Sequence, residues 1–161
     1  MNEKNKTHMQ MMKRAIELSA ENVQSNRGGP FGAVVVLNGK IVGEGRNQVT
    51  HNNDPTAHAE VMAIREACRN LQSFDLSGAE IYTSCEPCPM CLSAIYWARI
   101  GKIYYANTRA DAAAIQFDDD LIYNEIPKSP SERKVPAEQL MRDEAQTVFD
   151  HWAQSTDKIN Y

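Results

Sequence analysis

Two cysteines and one histidine have the types and spacing of a metal site. Cys88 and Cys91, in "SCEPCPMC", are three positions apart at the predicted start of a helix, so their side chains project to the same side of its first turn. A helix N-terminus carries partial positive charge, which lowers the pKa of a thiol and favours the thiolate that binds metal. With His58 from "PTAHAEVMAI" as a third ligand, the set is one nitrogen and two sulfurs, which suits tetrahedral zinc.

Glu60 lies two positions after His58, at the entrance of an otherwise apolar run. Three protein ligands leave one position of tetrahedral zinc open, and catalytic sites leave that position to water, whose pKa falls toward about 7. Glu60 beside this water could take its proton and deliver it to a substrate. Since residues two apart on a helix are separated by about 200°, the two side chains can converge only at the mouth of the helix.

Each of these residues also has a structural interpretation. An isolated histidine near an apolar helix is usually a hydrogen-bonded structural residue, and two cysteines three apart also occur by coincidence or in structural metal sites. Cys85 could close such a site as a fourth ligand, although it lies on the strand side of the turn, and Cys68 is expected in the core. The alternative to an enzyme is therefore a noncatalytic zinc-binding module that serves in interaction with a partner. Glu60 argues against it, because a structural site needs no unligated carboxylate.

Apolar spacing and turn residues predict the elements that must position these side chains. Asn38-Gly39, a dipeptide suited to a two-residue turn with positive φ at both positions, lies between two predicted strands, "FGAVVVL" and "KIVGEGRNQV". Helices are predicted over residues 7–25, over 57–70 with Thr56 or Asp54 near the cap, from close to Pro87 or Pro89, and over 137–155. "AEIYTS" and "KIYYAN" are predicted strands, and "DAAAIQF" and "DDDLIYNEI" are predicted short helices.

The order of these elements predicts an α/β fold, a three-layer α/β/α sandwich with a mixed sheet of about five strands. Strands joined through helices run parallel and need covering on both faces. At 161 residues, and without an internal repeat, the chain is expected to form one domain, 1–161, with 137–161 as a C-terminal helix and tail.

Composition limits the class of protein and of partner. Hydrophobic residues make up 42% and charged residues 24%, which argues against disorder. No apolar run approaches the roughly 18 residues of a membrane span, and the first residues lack an apolar signal region, so we expect a cytoplasmic protein with no membrane partner. Residues 1–109 carry 12 Lys+Arg against 10 Asp+Glu, whereas 110–161 carry 5 against 11. The absence of a basic tail disfavours a nucleic-acid partner.

The tripeptide "HAE" at 58–60 and "PCPMC" at 87–91 match the H-x-E…P-C-x-x-C signature of zinc-dependent base deaminases. The chain resembles the cytidine deaminase superfamily, and its whole length is similar to the bacterial guanine deaminases within it. The similar segments are "GGPFGAVVV", "NDPTAHAEVMAIR", "YTSCEPCPMCLSAIYWAR", "FDDDLIY" and the terminal Tyr161. The resemblance implies one zinc ion per chain on His58, Cys88 and Cys91, with Glu60 as proton shuttle in the hydrolysis of guanine to xanthine and ammonia. It also implies a homodimer whose C-terminal segment crosses to the other subunit and closes its site.

The same resemblance implies purine contacts outside the metal site. They fall on Phe31, Asn47, Ala57, Trp97, Asp119 and Tyr161, with backbone groups of residues 84–86 as further candidates. From the residues alone, Asn47 could instead cap a turn, and Phe31 and Trp97 could pack in the core rather than stack on a base.

Three consecutive aspartates and the last residue have equally ordinary alternatives. Asp118, Asp119 and Asp120 would normally form a solvated helix cap. The resemblance makes Asp119 the acceptor for guanine N–H groups and a second proton carrier, with Asp118 as the alternative because the triple repeat leaves the register open. Tyr161 would normally be frayed, whereas the resemblance makes it part of the closing segment.

Other deaminases of the superfamily share these motifs. A tRNA adenosine deaminase has similar core motifs, including "ARIGK" at 98–102, but the acidic C-terminal third disfavours a nucleic-acid substrate. Guanosine and cytosine deaminases stay open as alternatives, because only the shape of the pocket separates a base from its nucleoside.

Overall fold

The predicted helices and strands of the catalytic motifs are present in the computed structural model, which describes residues 3–161. The chain divides into two compact units, one ending at Asp119 and the other comprising Asp120–Tyr161. The first unit contains, in chain order, α1 (Glu3–Gln24), β1 (Gly32–Leu37), β2 (Lys40–Arg46), α2 (Val49–Asn52), α3 (Ala59–Leu71), β3 (Glu80–Cys85), α4 (Pro89–Trp97), β4 (Lys102–Asn107) and α5 (Arg109–Ala114). The second contains α6 (Asp120–Glu125), a 3₁₀ turn (Pro130–Glu132) and α7 (Arg142–Gln154). Assignment of the whole chain to one domain stays a prediction.

Four strands form one mixed sheet in the order β2-β1-β3-β4. β1 pairs antiparallel with β2 and β3, whereas β3 pairs parallel with β4, to which it is joined through α4. The predicted hairpin is confirmed, since Asn38 and Gly39 have φ angles of 51° and 75°. The expected count of about five strands is too high by one. After β4, the alanine-rich segment "RADAAA" favours a helix, and the three prolines of residues 126–141 interrupt any long strand.

Helices cover both faces of the sheet, which confirms the predicted three layers. On one face, α1 packs against β1 and β3 through Ala15, Leu18, Val34, Val36 and Tyr82. On the other face, α3 and α4 share a larger core cluster whose members include Ala59, Ala63, Ile95, Val35 and Ile81. Successive side chains of a strand point to opposite faces, so the central strands β1 and β3 are buried on both sides.

Helix α3 approaches strand β2 closely because both surfaces carry small residues. Gly43 and Gly45 of β2 face the alanine row of α3. A β-carbon at Gly45 would lie 2.0 Å from the carbonyl oxygen of Ala59, and one at Gly43 would lie 2.3 Å from that of Ala63. The contact holds the first turn of α3, which contains Glu60, directly against the sheet.

Substituting Gly45 by alanine is expected to lower the free energy of unfolding by about 3 kcal/mol, because the added methyl overlaps helix backbone rather than a movable side chain. Urea unfolding of the purified protein measures the change. Gly101→Ala is the matched control, since the nearest atom to its added β-carbon would be 3.7 Å away. Equal stabilities of the two variants would contradict the close contact between α3 and β2.

The second unit exposes much of its apolar surface. Helix α7 is shorter than the helix predicted over 137–155 and begins after Met141, whose φ is 53°. Its side chains Val148, Phe149 and Trp152 are 64%, 70% and 50% exposed. Exposed apolar side chains grouped in this way are typical of surfaces that contact another chain.

Within residues 3–161, no helix is both long enough and apolar enough to cross a membrane.

Candidate metal centre and active site

The predicted metal ligands lie at the N-termini of two helices on one face of the sheet. His58 is the N-cap of α3 and Cys88 is the N-cap of α4, and neither side chain caps its helix. Thr56 and Asp54, predicted near this cap, lie two and four residues before it and do not cap the helix; the carboxylate of Asp54 instead accepts the backbone N–H and the hydroxyl of Thr56 in the preceding turn. An N-cap is usually a Ser, Thr, Asp or Asn that bonds to its own helix. Here an imidazole and a thiol occupy these positions and point at each other.

His58, Cys88 and Cys91 come together as predicted. Nδ1 of His58 lies 3.5 Å from Sγ of Cys88 and 3.5 Å from Sγ of Cys91, and all three ligand atoms lie within 4.8 Å of one another. Tetrahedral zinc with Zn–N of about 2.0 Å and Zn–S of about 2.3 Å separates nitrogen from sulfur by about 3.5 Å. The donor set therefore fits zinc, and Nδ1 is the ring nitrogen that faces the site.

The pKa shifts of the three ligands favour one anionic sulfur before any metal binds. The pKa of Cys88 is lowered to about 4, because its sulfur accepts hydrogen bonds from Cys91 and from His58. The pKa of Cys91 is raised, because its buried thiol lies beside the sulfur of Cys88 and the carboxylate of Glu60, both of which disfavour a second anion. The hydrogen bond to Cys88 raises the pKa of His58. One thiolate is thus already favoured, and metal binding deprotonates thiol ligands generally.

Glu60 lies in the first turn of α3 and is buried, with 6% of its surface exposed. Its Oε1 accepts a hydrogen bond of 3.0 Å from the hydroxyl of Thr83, and its Oε2 accepts one of 3.4 Å from the thiol of Cys91. Burial raises the pKa of this carboxyl group, so that it holds a proton more readily than an exposed glutamate. The expected angular conflict with His58 does not arise, because His58 has extended backbone angles and lies just outside the helix.

Cys85 and Cys68 stand apart from this group. The thiol of Cys85 donates to the carbonyl oxygen of Thr108 at 3.5 Å, and burial raises its pKa to about 11. Cys68 packs against the core, as expected, and burial raises its pKa too. Within residues 3–161, no fourth cysteine or histidine joins the three ligands. The geometry therefore favours a site with an open position over a closed structural one.

Asn47 follows β2 and is held by backbone groups on two sides. Its Oδ1 accepts the N–H groups of Gly29 and Val49, both at 3.3 Å, so it does cap a turn. Its carbonyl oxygen accepts a 2.9 Å hydrogen bond from the side-chain amide of Asn22, which also donates to the carbonyl of Gly29. Nδ2 of Asn47 makes no hydrogen bond to the described residues and is free to donate to a ligand.

The two predicted stacking residues differ in burial. Phe31 is half-buried, and its ring meets that of Phe117 edge-on, with centroids 4.9 Å apart at 90°. Trp97 is the last residue of α4 and is 69% exposed, so it is not a core residue of this chain. Both rings thus keep apolar surface that a flat ligand could contact.

Some of the backbone groups predicted to contact the purine already make hydrogen bonds within the protein. The N–H of Ala57 donates to the carbonyl of Asp54, and its carbonyl accepts from the N–H of Gln48. The N–H of Glu86 donates to the carbonyl of Asn107. Of these groups, the carbonyl of Ala57 has a second lone pair with which it could accept a hydrogen bond from a ligand.

The part of the chain that contains the whole metal site matches a known protein family. Residues 5–107 match the family described as the cytidine and deoxycytidylate deaminase zinc-binding region. The chain belongs to this deaminase family. The donor set on the two helix N-termini therefore lies in the segment for which the family is named.

Known deaminases differ in how much of this chain they match. The guanine deaminase of Bacillus subtilis (strain 168) is 50% identical over 154 residues, which cover 96% of this chain and 99% of that protein. An X-ray structure of guanine deaminase from Bacillus subtilis matches with a TM-score of 0.92 at 48% identity, covering 100% and 99% of the two chains. The tRNA-specific adenosine deaminase of Agrobacterium fabrum is 42% identical over 87 residues, 54% of this chain and 57% of that protein. The protein NE0047, solved with 2,6-diaminopurine, matches with a TM-score of 0.65 at 34% identity and covers 68% and 61%.

Burial distinguishes the aspartates of this deaminase from one another. The side chain of Asp119 is 17% exposed, and its Oδ1 lies 3.8 Å from Nε of Arg109, whereas Asp118 and Asp120 are exposed. Asp119 is therefore the least exposed of the three. Tyr161 belongs to the second unit and is 74% exposed.

Sequence reasoning missed the two residues that hold Glu60 and Asn47 in place. Thr83 lies in a predicted strand, but nothing in the sequence marked its hydroxyl, because only the structure shows that this strand is buried. Nothing marked Asn22 either, because an asparagine near the end of a helix is usually solvated or caps it. In the structure Asn22 is 1% exposed.

Proposed function

We propose that the protein is a zinc-dependent guanine deaminase that hydrolyses guanine to xanthine and ammonia. Its end-to-end similarity to a guanine deaminase carries the proposal, since the tRNA-specific relative covers only about half of the chain. The buried carboxylate beside the three ligands supports an enzyme over a noncatalytic zinc module, because a structural site has no use for it.

The metal would be one zinc ion per chain, held by Nδ1 of His58 and the sulfurs of Cys88 and Cys91. Such an ion supplies Lewis-acid activation of water at neutral pH. Oε2 of Glu60 would accept the first proton of the water and pass it to the ring nitrogen beside C2; Glu60 would then accept the second proton from the new C2 hydroxyl group and pass it to the departing amine. Burial suits Glu60 to this work, because a carboxyl group of raised pKa both accepts and returns a proton. One C–O bond forms at C2, one C–N bond breaks, and water and guanine become xanthine and ammonia.

The remaining site residues bind and orient the base. Nδ2 of Asn47 donates to an acceptor on the purine edge, and the carbonyl of Ala57 accepts from an N–H. Phe31 and Trp97 offer apolar ring faces for stacking. Asp119 accepts from guanine N–H groups and helps to carry protons to the amine.

The assembly would be a homodimer in the cytoplasm, acting in purine breakdown or salvage. Exposed apolar side chains of α7 support a contact with a second chain. In this proposal residues 137–161 cross to the partner and Tyr161 closes the partner's site.

A substrate panel tests the proposal. The zinc-loaded protein is incubated with guanine, guanosine, cytosine, adenosine and a tRNA anticodon hairpin, and released ammonia is measured together with the product. Guanine is expected to react with the highest kcat/KM and to yield xanthine. A higher kcat/KM for the hairpin or a nucleoside would transfer the assignment to that substrate, and release from none would favour the noncatalytic module.

Removing Tyr161 tests the C-terminal segment. We expect kcat/KM for guanine to fall about tenfold, the effect of one lost hydrogen bond in a closed site, with little change in thermal stability. Asn160→Ala is the control for a change near the chain end that keeps the tyrosine. An unaltered kcat/KM would contradict the closing role.

Mixed dimers test whether the segment serves the other subunit. Subunits lacking Tyr161 are refolded together with Glu60→Gln subunits, which keep the tyrosine but lack the carboxylate. If the segment crosses, the Glu60→Gln chain closes the site of its partner and activity rises above that of either parent. Activity equal to the sum of the parents would contradict the exchange.

A further inference from the structure

We propose that Thr83 is a positioning residue that aims the carboxylate of Glu60 at the metal ligands. The inference rests on the proposed function of Glu60 as proton carrier. The hydroxyl of Thr83 donates a hydrogen bond of 3.0 Å to Oε1 of Glu60. This contact joins strand β3 to helix α3 across 23 residues of sequence. No role was predicted for this residue from the sequence.

Burying the hydroxyl of Thr83 costs free energy unless that hydroxyl makes a hydrogen bond. Thr83 lies within β3, opposite Ala33 of β1, and is 1% exposed. Ile81, two residues earlier on the same face, belongs to the apolar core cluster. Valine has the same shape as threonine and would fill this position without burying a polar group. Among the described residues, the hydrogen bond to Glu60 is the only one that the Thr83 side chain makes.

The contact determines which way the carboxyl group of Glu60 faces. Thr83 binds Oε1 on the sheet side, while Oε2 lies 3.4 Å from the sulfur of Cys91. Because Oε1 is held, Oε2 is directed toward the ligand set, where a proton would be exchanged. Without the hydroxyl, the carboxyl group can rotate about its last side-chain bond. A misplacement of about 1 Å in a reacting group can cost about 10²-fold in rate.

Thr83→Val removes the hydroxyl and keeps the shape. In the zinc-loaded enzyme we expect kcat for guanine to fall about 10- to 100-fold, with KM within twofold of wild type and the zinc content unchanged. Thr83→Ser keeps the hydroxyl and should restore most of kcat. Ile81→Val is the matched control, because it trims the same face of β3 and should lower stability while leaving kcat unchanged.

Further measurements separate positioning from a structural role. Combined with Glu60→Gln, Thr83→Val should lower kcat no further, because the carboxylate that it aims is gone. A crystal structure of Thr83→Val should show the Glu60 carboxyl group rotated. A kcat within twofold of wild type, an unmoved carboxyl group, or a loss of zinc and thermal stability that serine does not rescue would each overturn the inference.

The substrate panel and the crystal structure of Thr83→Val give separate outcomes for guanine turnover and for the role of Thr83. If wild type releases ammonia from another base of the panel rather than from guanine, the substrate assignment fails and the same kcat comparison is made with that base. If wild type acts on none of the panel, the proposed function fails and the orientation of Glu60 in the Thr83→Val crystal structure decides on Thr83 by itself.

Discussion

Glu60→Gln is expected to leave zinc bound and to lower kcat for guanine by about 10³-fold, the size expected when a general acid–base group is lost. Glutamine matches glutamate in shape and can still accept the hydroxyl of Thr83 through its amide oxygen. It cannot take up or release a proton at neutral pH. The change therefore isolates proton transfer from packing at a position that is 6% exposed.

Zinc per chain and steady-state kinetics check this expectation on the same sample. Glu66→Gln is the matched control, because it makes the same chemical change further along α3, where the carboxylate accepts the backbone N–H of Glu44. It should keep both zinc and kcat. Retained activity in Glu60→Gln would refute the shuttle role, and loss of zinc would instead make Glu60 part of the metal site.

Cys91→Ser is expected to lose zinc and, with it, activity. The sulfur of Cys91 is fully buried between His58 and Glu60, and a serine hydroxyl, which does not ionise at neutral pH, replaces a thiolate ligand. Metal content by elemental analysis should fall well below one ion per chain. Thermal stability should fall too, because a ligand present at about 1,000 times its Kd stabilises the folded state by about 4 kcal/mol.

Cys85→Ser is the control that makes the result specific. Cys85 is also buried and lies on the adjoining strand, but its thiol donates to Thr108 rather than facing the ligand set. It should retain zinc and turnover. Loss of zinc in Cys85→Ser together with retention in Cys91→Ser would reverse the ligand assignment and remove the open position on which hydrolysis depends.

The sequence predicted the elements of the site better than the details of their ends. The Asn38-Gly39 turn could be predicted because its chemistry is local, requiring positive φ at two adjacent residues. The cap of α3 could not, because Asp54 and Thr56 satisfy each other in a turn and leave the N-cap to His58. The expected count of about five strands was too high because only four segments carry a strand pattern, and the segments after β4 were themselves predicted to be helices.

What the sequence by itself determined is the set of reacting groups: a histidine, two cysteines and a glutamate at helix starts, whose types and short spacing limit the chemistry to a nitrogen–sulfur metal site with a proton carrier. Only the tertiary structure decided how they are supported. Asn22 and Thr83 hold Asn47 and Glu60 through hydrogen bonds that span more than 20 residues of chain. Short-range patterns report local backbone preference, whereas these contacts depend on which strands and helices pack together. That packing follows from the burial of the whole core.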